Sequence, residues 1–325
     1  IVDLKTMEQR TLTMIGPTTI ESLAFSPDGR RLAVGHRYQR VSVIPTASTT
    51  APATVLLKGG PRNRNRTIAW FDDSQGPEVL VTSLEGGVLQ MTSASGEFLE
   101  DIRRAPSCHA YCVMPGAHEL VLAVGGSTGH VEVSPLADIH KFAKLTGTTG
   151  EIRSVSCSPD RQWIAAGQSD GWVVVWNLQE FNADKARALK RHTEFTPHDA
   201  VRLHEGYVNS MCWVGSRLIT VGGDGRAVEF DVESVAATRQ GYLQHTRAVC
   251  FVGESEDVLL GMRDGSLLRM TTAELQDIYR DQVAVTGPPL RWDEMPHRLA
   301  KIGGMGALAS TRDGRLFAMG DPYGR

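Results

Sequence analysis

Short apolar runs alternate with polar turns along this chain, and one phrase recurs. It is an apolar strand, a Ser-Pro-Asp type turn, a second apolar strand ending in Gly, then Gly-x-apolar-x-apolar. The clearest copy is 152–177, "IRSVSCSPDRQWIAAGQSDGWVVVWN", where three strand-length runs are separated by two turns. With Gly171 as reference, the residues that open the third strand of each copy are Gln39, Gly86, Gly129, Gly171, Gly225, Gly265 and Gly324. Their spacings are 47, 43, 42, 54, 40 and 59 residues.

A period near 40 to 45 residues with four strands per unit is that of a propeller blade, and two of the copies carry insertions. The chain stops after Gly324-Arg325, where a third strand is due, and Ile1-Val2-Asp3-Leu4 reads as that strand. The predicted fold is all-β, a seven-bladed β-propeller of four-stranded antiparallel blades with the last blade shared between the N- and C-termini. Such sharing closes the ring and removes exposed sheet edges. One domain is expected over 1–325, with approximate blades 15–57, 66–104, 105–147, 148–203, 204–243, 244–300, and 301–325 plus 1–14. The first residue is Ile rather than Met, and the chain is read as part of a longer protein.

Phe25-Ser26-Pro27-Asp28-Gly29, Trp176-Asn177 after "GWVVV", Phe230-Asp231 after "GRAVE", and His204 four residues before Val208 resemble the WD-repeat β-propellers over nearly the whole chain. No copy has an intact Trp-Asp pair: Ile44, Met91, Ser134, Trp176, Phe230 and Met270 stand at the Trp position. The resemblance implies a hydrogen-bonded brace of His, Ser or Thr, Asp and Trp in each blade. Only the fifth blade, with His204, Thr220, Asp224 and Phe230, approaches the set, and Phe230 has no indole N–H to give.

Composition fits a large β protein, with 41% apolar residues and 33 glycines placed at turns such as Gly125-Gly126, Gly222-Gly223 and Gly303-Gly304. No run of about 18 apolar residues occurs, so no membrane-spanning helix is expected. A net charge of −3 lacks the basic excess on which phosphate-backbone affinity rests, so nucleic acid is not expected as the main partner. Cys157, Cys212 and Cys250 fall in first strands, with Cys108 and Cys112 at or near another. This odd number on buried-type strands reads as reduced thiols in a cytosolic or nuclear compartment.

Catalytic, cofactor and metal signatures are not found. The sequence has no Gly-x-Ser-x-Gly, no phosphate loop and no His-Glu-x-x-His. Gly222-Gly223-Asp224-Gly225 lies between two strands and reads as a hairpin. Cys108-x3-Cys112 has no matching pair at zinc spacing. His192, His198 and His204 recur at six-residue steps; the first two read as a solvated insertion and the third as a repeat post. No catalytic residue, cofactor or metal is expected.

Function is therefore sought in the loops. Lys58, Arg62, Arg64 and Arg66 sit in an acid-free loop that is either solvated or met by an acidic partner. Asn182 caps a predicted short basic helix carrying Lys185, Arg187, Lys190 and Arg191, docked on its own disc or on a partner. Thr271-Thr272-Ala273-Glu274 has capping-box spacing, and Trp292 follows in a Pro-interrupted segment, packed on a neighbouring blade or anchoring an interface.

The leading expectation is a non-catalytic protein-interaction scaffold, a subunit of a multi-protein complex whose partners carry acidic surface. The resemblance extends to cytoplasmic, cytoskeletal or microtubule-associated proteins. One alternative is a phosphoinositide-binding propeller. Leu99 to Ala105 is similar to the paired-arginine motif of that group, with Arg103 and Arg104 as lipid ligands and Ala105 in place of Gly. Another alternative is an enzyme with a site at the central channel. A ubiquitin-ligase receptor is disfavoured, since Trp176-Asn177-Leu178-Gln179 lacks the Trp-Asp-x-Arg pattern.

Overall fold

The computed structural model describes residues 1–3, 19–37, 41–47, 54–57, 65–71, 79–84, 88–93, 98–103, 108–115, 120–135, 142–160, 162–178, 194–242, 246–252, 257–262, 266–271, 298–301, 307–311 and 315–320. They form seven sheets. The first sheet holds Ile20–Phe25, Arg31–His36, Val41–Pro45 and Thr54–Leu57. Asn65–Phe71, Val79–Leu84, Val88–Ser93 and Phe98–Arg103 make the second, and Cys108–Pro115, Leu120–Gly126, Val131–Pro135 and Ala143–Leu145 begin the third. The fourth holds Ile152–Cys157, Trp163–Gln168, Trp172–Asn177 and Asp199–Arg202; the fifth holds Val208–Val214, Arg217–Gly222, Arg226–Asp231 and Ala236–Tyr242. Thr246–Val252, Asp257–Met262, Ser266–Thr271 and Arg298–Lys301 form the sixth. In the seventh, Ala307–Ser310 and Leu316–Gly320 are joined by Val2–Asp3.

The strands named so far pair antiparallel with their neighbours in each sheet, and each first strand lies against the first strand of the next sheet, from the first through the seventh and back. The first strands are therefore innermost in a closed ring. The chain's opening residues fill the place predicted for them, with Val2 opposite Phe317 and Asp3 opposite Leu316.

The core follows from the two-residue period of a strand, which sends alternate side chains to opposite faces. In the fourth sheet Ile164, Ala166, Val174 and Trp176 face the third sheet's Ala123, Val131, Val133 and Leu145. The intervening Trp163, Ala165, Val173 and Val175 face the fifth sheet's Val208, Met211, Leu218 and Phe230. The same division places Leu32, Val34 and Ile44 against the seventh sheet and Ala33, Val41 and Val43 against the second. Each buried aliphatic or aromatic side chain contributes about 1.5–3 kcal/mol, so the faces between sheets hold the ring together.

The Ser-Pro-Asp turns are built alike. Ser26 Oγ donates to Asp28 Oδ1 (2.6 Å) and accepts from the Arg31 amide (2.9 Å). Ser158 Oγ donates to Asp160 Oδ1 (2.5 Å) and accepts from the Trp163 amide (2.9 Å). Burial raises the Asp28 carboxyl, but the Ser26 hydroxyl, the Arg30 amide and nearby arginines outweigh it and hold it below the ordinary carboxylate value.

Four expectations need correction. Arg66 lies on the strand Asn65–Phe71 and not in a loop, because pairing with Val79–Leu84 already begins at Asn65. The second and sixth units each extend one residue beyond the predicted limits, to Asn65 and Lys301. Glu194–Phe195, placed by repeat spacing in the fourth blade, pairs in parallel with Ala143–Leu145 and becomes a fifth strand of the third sheet. Cys157 is disulfide-bonded and not a free thiol, whereas Cys212 is free and buried.

Candidate functional site

The fifth sheet holds the one brace the sequence predicted. His204 precedes its first strand, Thr220 lies on the second, and Asp224 sits in the turn before the third, so the antiparallel hairpin brings all three together. His204 Nδ1 is 3.1 Å from Asp224 Oδ1, and His204 Nε2 is 2.8 Å from Thr220 Oγ1. Asp224 also accepts the amides of Glu205 (2.9 Å) and Arg226 (3.0 Å). Burial lowers the His204 pKa, more than Asp224 raises it. The neutral ring donates Nδ1–H to the carboxylate and accepts the Thr220 hydroxyl at Nε2. Burial also pushes the Asp224 carboxyl up, but the two amides and His204 outweigh it and keep the acid ionised. Phe230, at the indole position, is buried among apolar neighbours and adds no polar bond.

Hydroxyl, imidazole and carboxylate in a chain is also the arrangement of an activated nucleophile. Here the His204 side chain and Thr220 are both 0% exposed, so no substrate atom reaches the hydroxyl. Gly222 closes the site: a β-carbon there would lie 2.3 Å from His204 Nδ1. The trio is a structural brace.

Trp176 serves a different link. Its indole N–H donates to the Thr146 carbonyl (2.9 Å), while the Thr146 amide and hydroxyl both donate to the Phe195 carbonyl (2.9 and 3.0 Å). The His198 amide donates to the Val175 carbonyl (2.7 Å), and its ring meets Trp163 edge-on at 4.8 Å. Residues 194–198 thus strap the third sheet to the fourth. His198, read from sequence as solvated, is exposed, with one edge of its ring on Trp163 because the strap returns the chain to its own sheet.

An exposed cluster lies at the end of the sheets that carries the turns between second and third strands. Tyr207 is 46% exposed and Trp172 37% exposed. The Arg153 guanidinium stands 5.7 Å from the Tyr207 ring centroid and 3.8 Å from Glu151 Oε1. Tyr207 lies over Gly223, where a β-carbon would come within 2.8 Å of the ring. Arg226 pairs with Glu205 at 3.3 Å, and Arg202 Nε donates to the Asp170 carbonyl at 3.3 Å. None of these residues was singled out from sequence. The available signal was the place of Tyr207 and Arg153 beside the start of consecutive first strands.

Of the candidates read from sequence, Lys58, Arg62, Arg64, Arg104, Lys185, Arg187, Lys190, Arg191 and Trp292 lie outside the described residues, as do the predicted basic helix and the capping-box segment beyond Thr271. Arg66 and Arg103 lie on strands, Arg103 closing the second sheet's fourth strand. Among the described residues no helix is long and apolar enough to cross a membrane.

The family model for the WD domain, G-beta repeat, matches residues 8–43 and 140–177. The chain is 26% identical over 177 residues to WD repeat-containing protein 3 of Mus musculus, covering 52% of this chain and 18% of that protein. It is 26% identical over 127 residues to Protein HIR1 of Eremothecium gossypii, covering 32% and 15%. The chain thus spans less than a fifth of either relative's length. A chain in the crystal structure of the mitotic checkpoint complex superposes with a TM-score of 0.70 at 15% identity, covering 96% of this chain and 91% of that one. In two stretches this chain is thus similar to WD repeats, as its relatives are by name or by sequence, and its all-β fold is that of a solved propeller-sized chain.

Proposed function

We propose that this chain is a non-catalytic scaffold that holds other proteins within a larger assembly. The observation that carries this reading is the exposed Trp172, Tyr207 and Arg153 cluster on a rigid sheet end. Trp, Tyr and Arg are the residue types that concentrate binding energy at protein interfaces. The burial of the His204, Thr220 and Asp224 trio favours the scaffold over catalysis, since the chain's relay-like geometry has a structural task. The mitotic checkpoint complex, an assembly in which this fold occurs, is consistent with partners that are proteins.

In its finer form the reading places the protein in the cytoplasm, at an acidic cytoskeletal surface such as a microtubule, with Lys58, Arg62 and Arg64 making the contact. Opposite charges at an interface rim speed encounter and fix register more than they add affinity. The test is proximity labelling in cells with the full-length protein, wild type and with Lys58, Arg62 and Arg64 each changed to Glu. A defined set of protein neighbours is expected, with cytoskeletal ones lost on charge reversal. A labelled set no different from that of an unrelated soluble protein sinks the scaffold reading. Neighbours unchanged by the reversal sink the basic-loop contact alone.

A further inference from the structure

The seam between the third and fourth sheets is held from its outer rim to its inner wall. At the rim Glu194–Phe195 pairs with Ala143–Leu145, and the Trp176 indole donates to the Thr146 carbonyl. Farther in, the linker between the two sheets is bonded to both. The Thr148 hydroxyl donates to the Gly129 carbonyl, while Gln168 Oε1 accepts the amides of Thr149 (2.8 Å) and Gly150 (2.5 Å). Gly125 lies so close to the fourth sheet's first strand that a β-carbon there would come within 2.4 Å of Ile152 and 2.9 Å of Val155. On the inner wall, at the far end of that strand, Cys157 is disulfide-bonded.

Cys157 packs against the apolar cluster shared by the third and fourth sheets. Of the two first strands beside its own, Cys108–Pro115 in the third sheet holds two cysteines by sequence, and Val208–Val214 in the fifth holds Cys212, which is free. The remaining cysteine belongs to Thr246–Val252, which lies against the fifth and seventh sheets. Strand order thus directs the bond toward the third sheet. Cys157 is also partly exposed and ends its strand beside the exposed Pro159 and Asp160, whereas Cys212 is buried. Thiol–disulfide exchange needs access to a sulfur, and Cys157 has it.

We infer that Cys157 carries a redox switch, a reversible disulfide across the third–fourth seam that hydrogen peroxide forms and a dithiol opens. In oxidation the Cys157 thiolate attacks the peroxide O–O bond, giving a sulfenic acid and a hydroxide that leaves as water; the second thiol then displaces another water and the disulfide forms. In reduction one thiolate of the dithiol attacks the disulfide, its second thiol resolves the mixed disulfide, and two cysteine thiols and an oxidised dithiol result. Disulfides in a reducing compartment are mostly transient and redox-sensing, so the switch fits one. The apolar cluster, the strap and the Gln168 bonds outlast reduction, and the ring stays folded in both states. Oxidation makes the seam harder to open, because a cross-link limits the freedom of the opened chain. The switch stands apart from the scaffold reading and does not depend on it.

The test uses the full chain and two readouts. Iodoacetamide labelling and peptide mass mapping follow Cys157 in protein purified without reductant, after dithiothreitol, and after hydrogen peroxide replaces the dithiothreitol. Cys157 is expected to be protected, then alkylated, then protected again. Urea unfolding followed by tryptophan fluorescence is expected to place the wild-type midpoint about 1 M lower in dithiothreitol, with no such shift for Cys157→Ser. Cys157 alkylated throughout, a wild-type midpoint unmoved by dithiothreitol, or an equal shift in Cys157→Ser overturns the inference. Sulfinic or sulfonic acid in place of the restored disulfide, or a linked peptide from a strand outside the third sheet, overturns it as well. Should Cys157→Ser fail to fold by circular dichroism, Cys157→Val replaces it, and the two redox states of the wild type are compared without any variant.

Discussion

Replacing Thr220 by Val keeps the branched shape and removes only the hydroxyl that His204 Nε2 accepts at 2.8 Å. Thr220 and the imidazole are fully buried, so no water replaces the lost donor. An unsatisfied buried acceptor costs about 1–3 kcal/mol, and the substitution is expected to destabilise by about 2 kcal/mol. His204→Leu differs: Asp224 keeps the amides of Glu205 and Arg226, and the Thr220 hydroxyl can turn to the Val228 carbonyl at 3.4 Å. Loss of the bond to the ionised Asp224 sets that cost at about 2–3 kcal/mol. Because the double variant removes donor and acceptor together, its cost should fall short of the summed singles by about 1–2 kcal/mol. Urea unfolding followed by tryptophan fluorescence, at one slope for all variants, gives the four free energies. A Thr220→Val cost under about 0.5 kcal/mol, or additivity within about 0.5 kcal/mol, would refute the brace as a coupled, buried network.

The same brace sets a pH dependence. The His204 pKa is lowered in the fold, so the unfolded chain binds the proton first. Stability is full above the ordinary histidine value of 6.5 and declines as pH falls below it. Asp224 is also lowered, so its contribution is present above 3.8 and is lost further into acid. Unfolding at pH 7 and 5.5 should show a smaller loss for His204→Leu than for wild type; equal losses contradict the assignment. Gly171 has φ +88°, and a β-carbon there would lie 2.0 Å from the His204 carbonyl oxygen. Gly171→Ala should therefore cost at least about 2 kcal/mol, read as a lower urea midpoint. Val235 is exposed with φ 53°, a left-handed conformation costly for a β-branched residue, in a turn held by Asp231 Oδ1. Val235→Gly should raise stability by about 1 kcal/mol in the same assay, and no gain would count against strain there. Trp176→Phe removes the indole bond to Thr146 at the strap and should cost about 1–2 kcal/mol, whereas an unchanged midpoint would mean the strap adds nothing.

The local grammar of the chain was enough for the architecture. Apolar alternation, Ser-Pro-Asp turns and a glycine before all third strands but the first are local, since each turn closes within a few residues and each strand pairs with its neighbour in sequence. His204, Thr220 and Asp224 were legible for the same reason: they lie within one blade, at fixed offsets from its strands. What crosses between blades was not legible. Glu194–Phe195 joins the third sheet, not its own, because a free strand edge accepts whichever backbone reaches it. Trp176 looks like a member of a blade's internal brace but donates to Thr146 of the preceding sheet. Sequence by itself determined the strands, the turns and the brace, because short-range pairing and hydrogen bonds specify them. The strap and the exposed Tyr207 and Arg153 cluster were decided by tertiary packing, because each depends on which blade stands next to which.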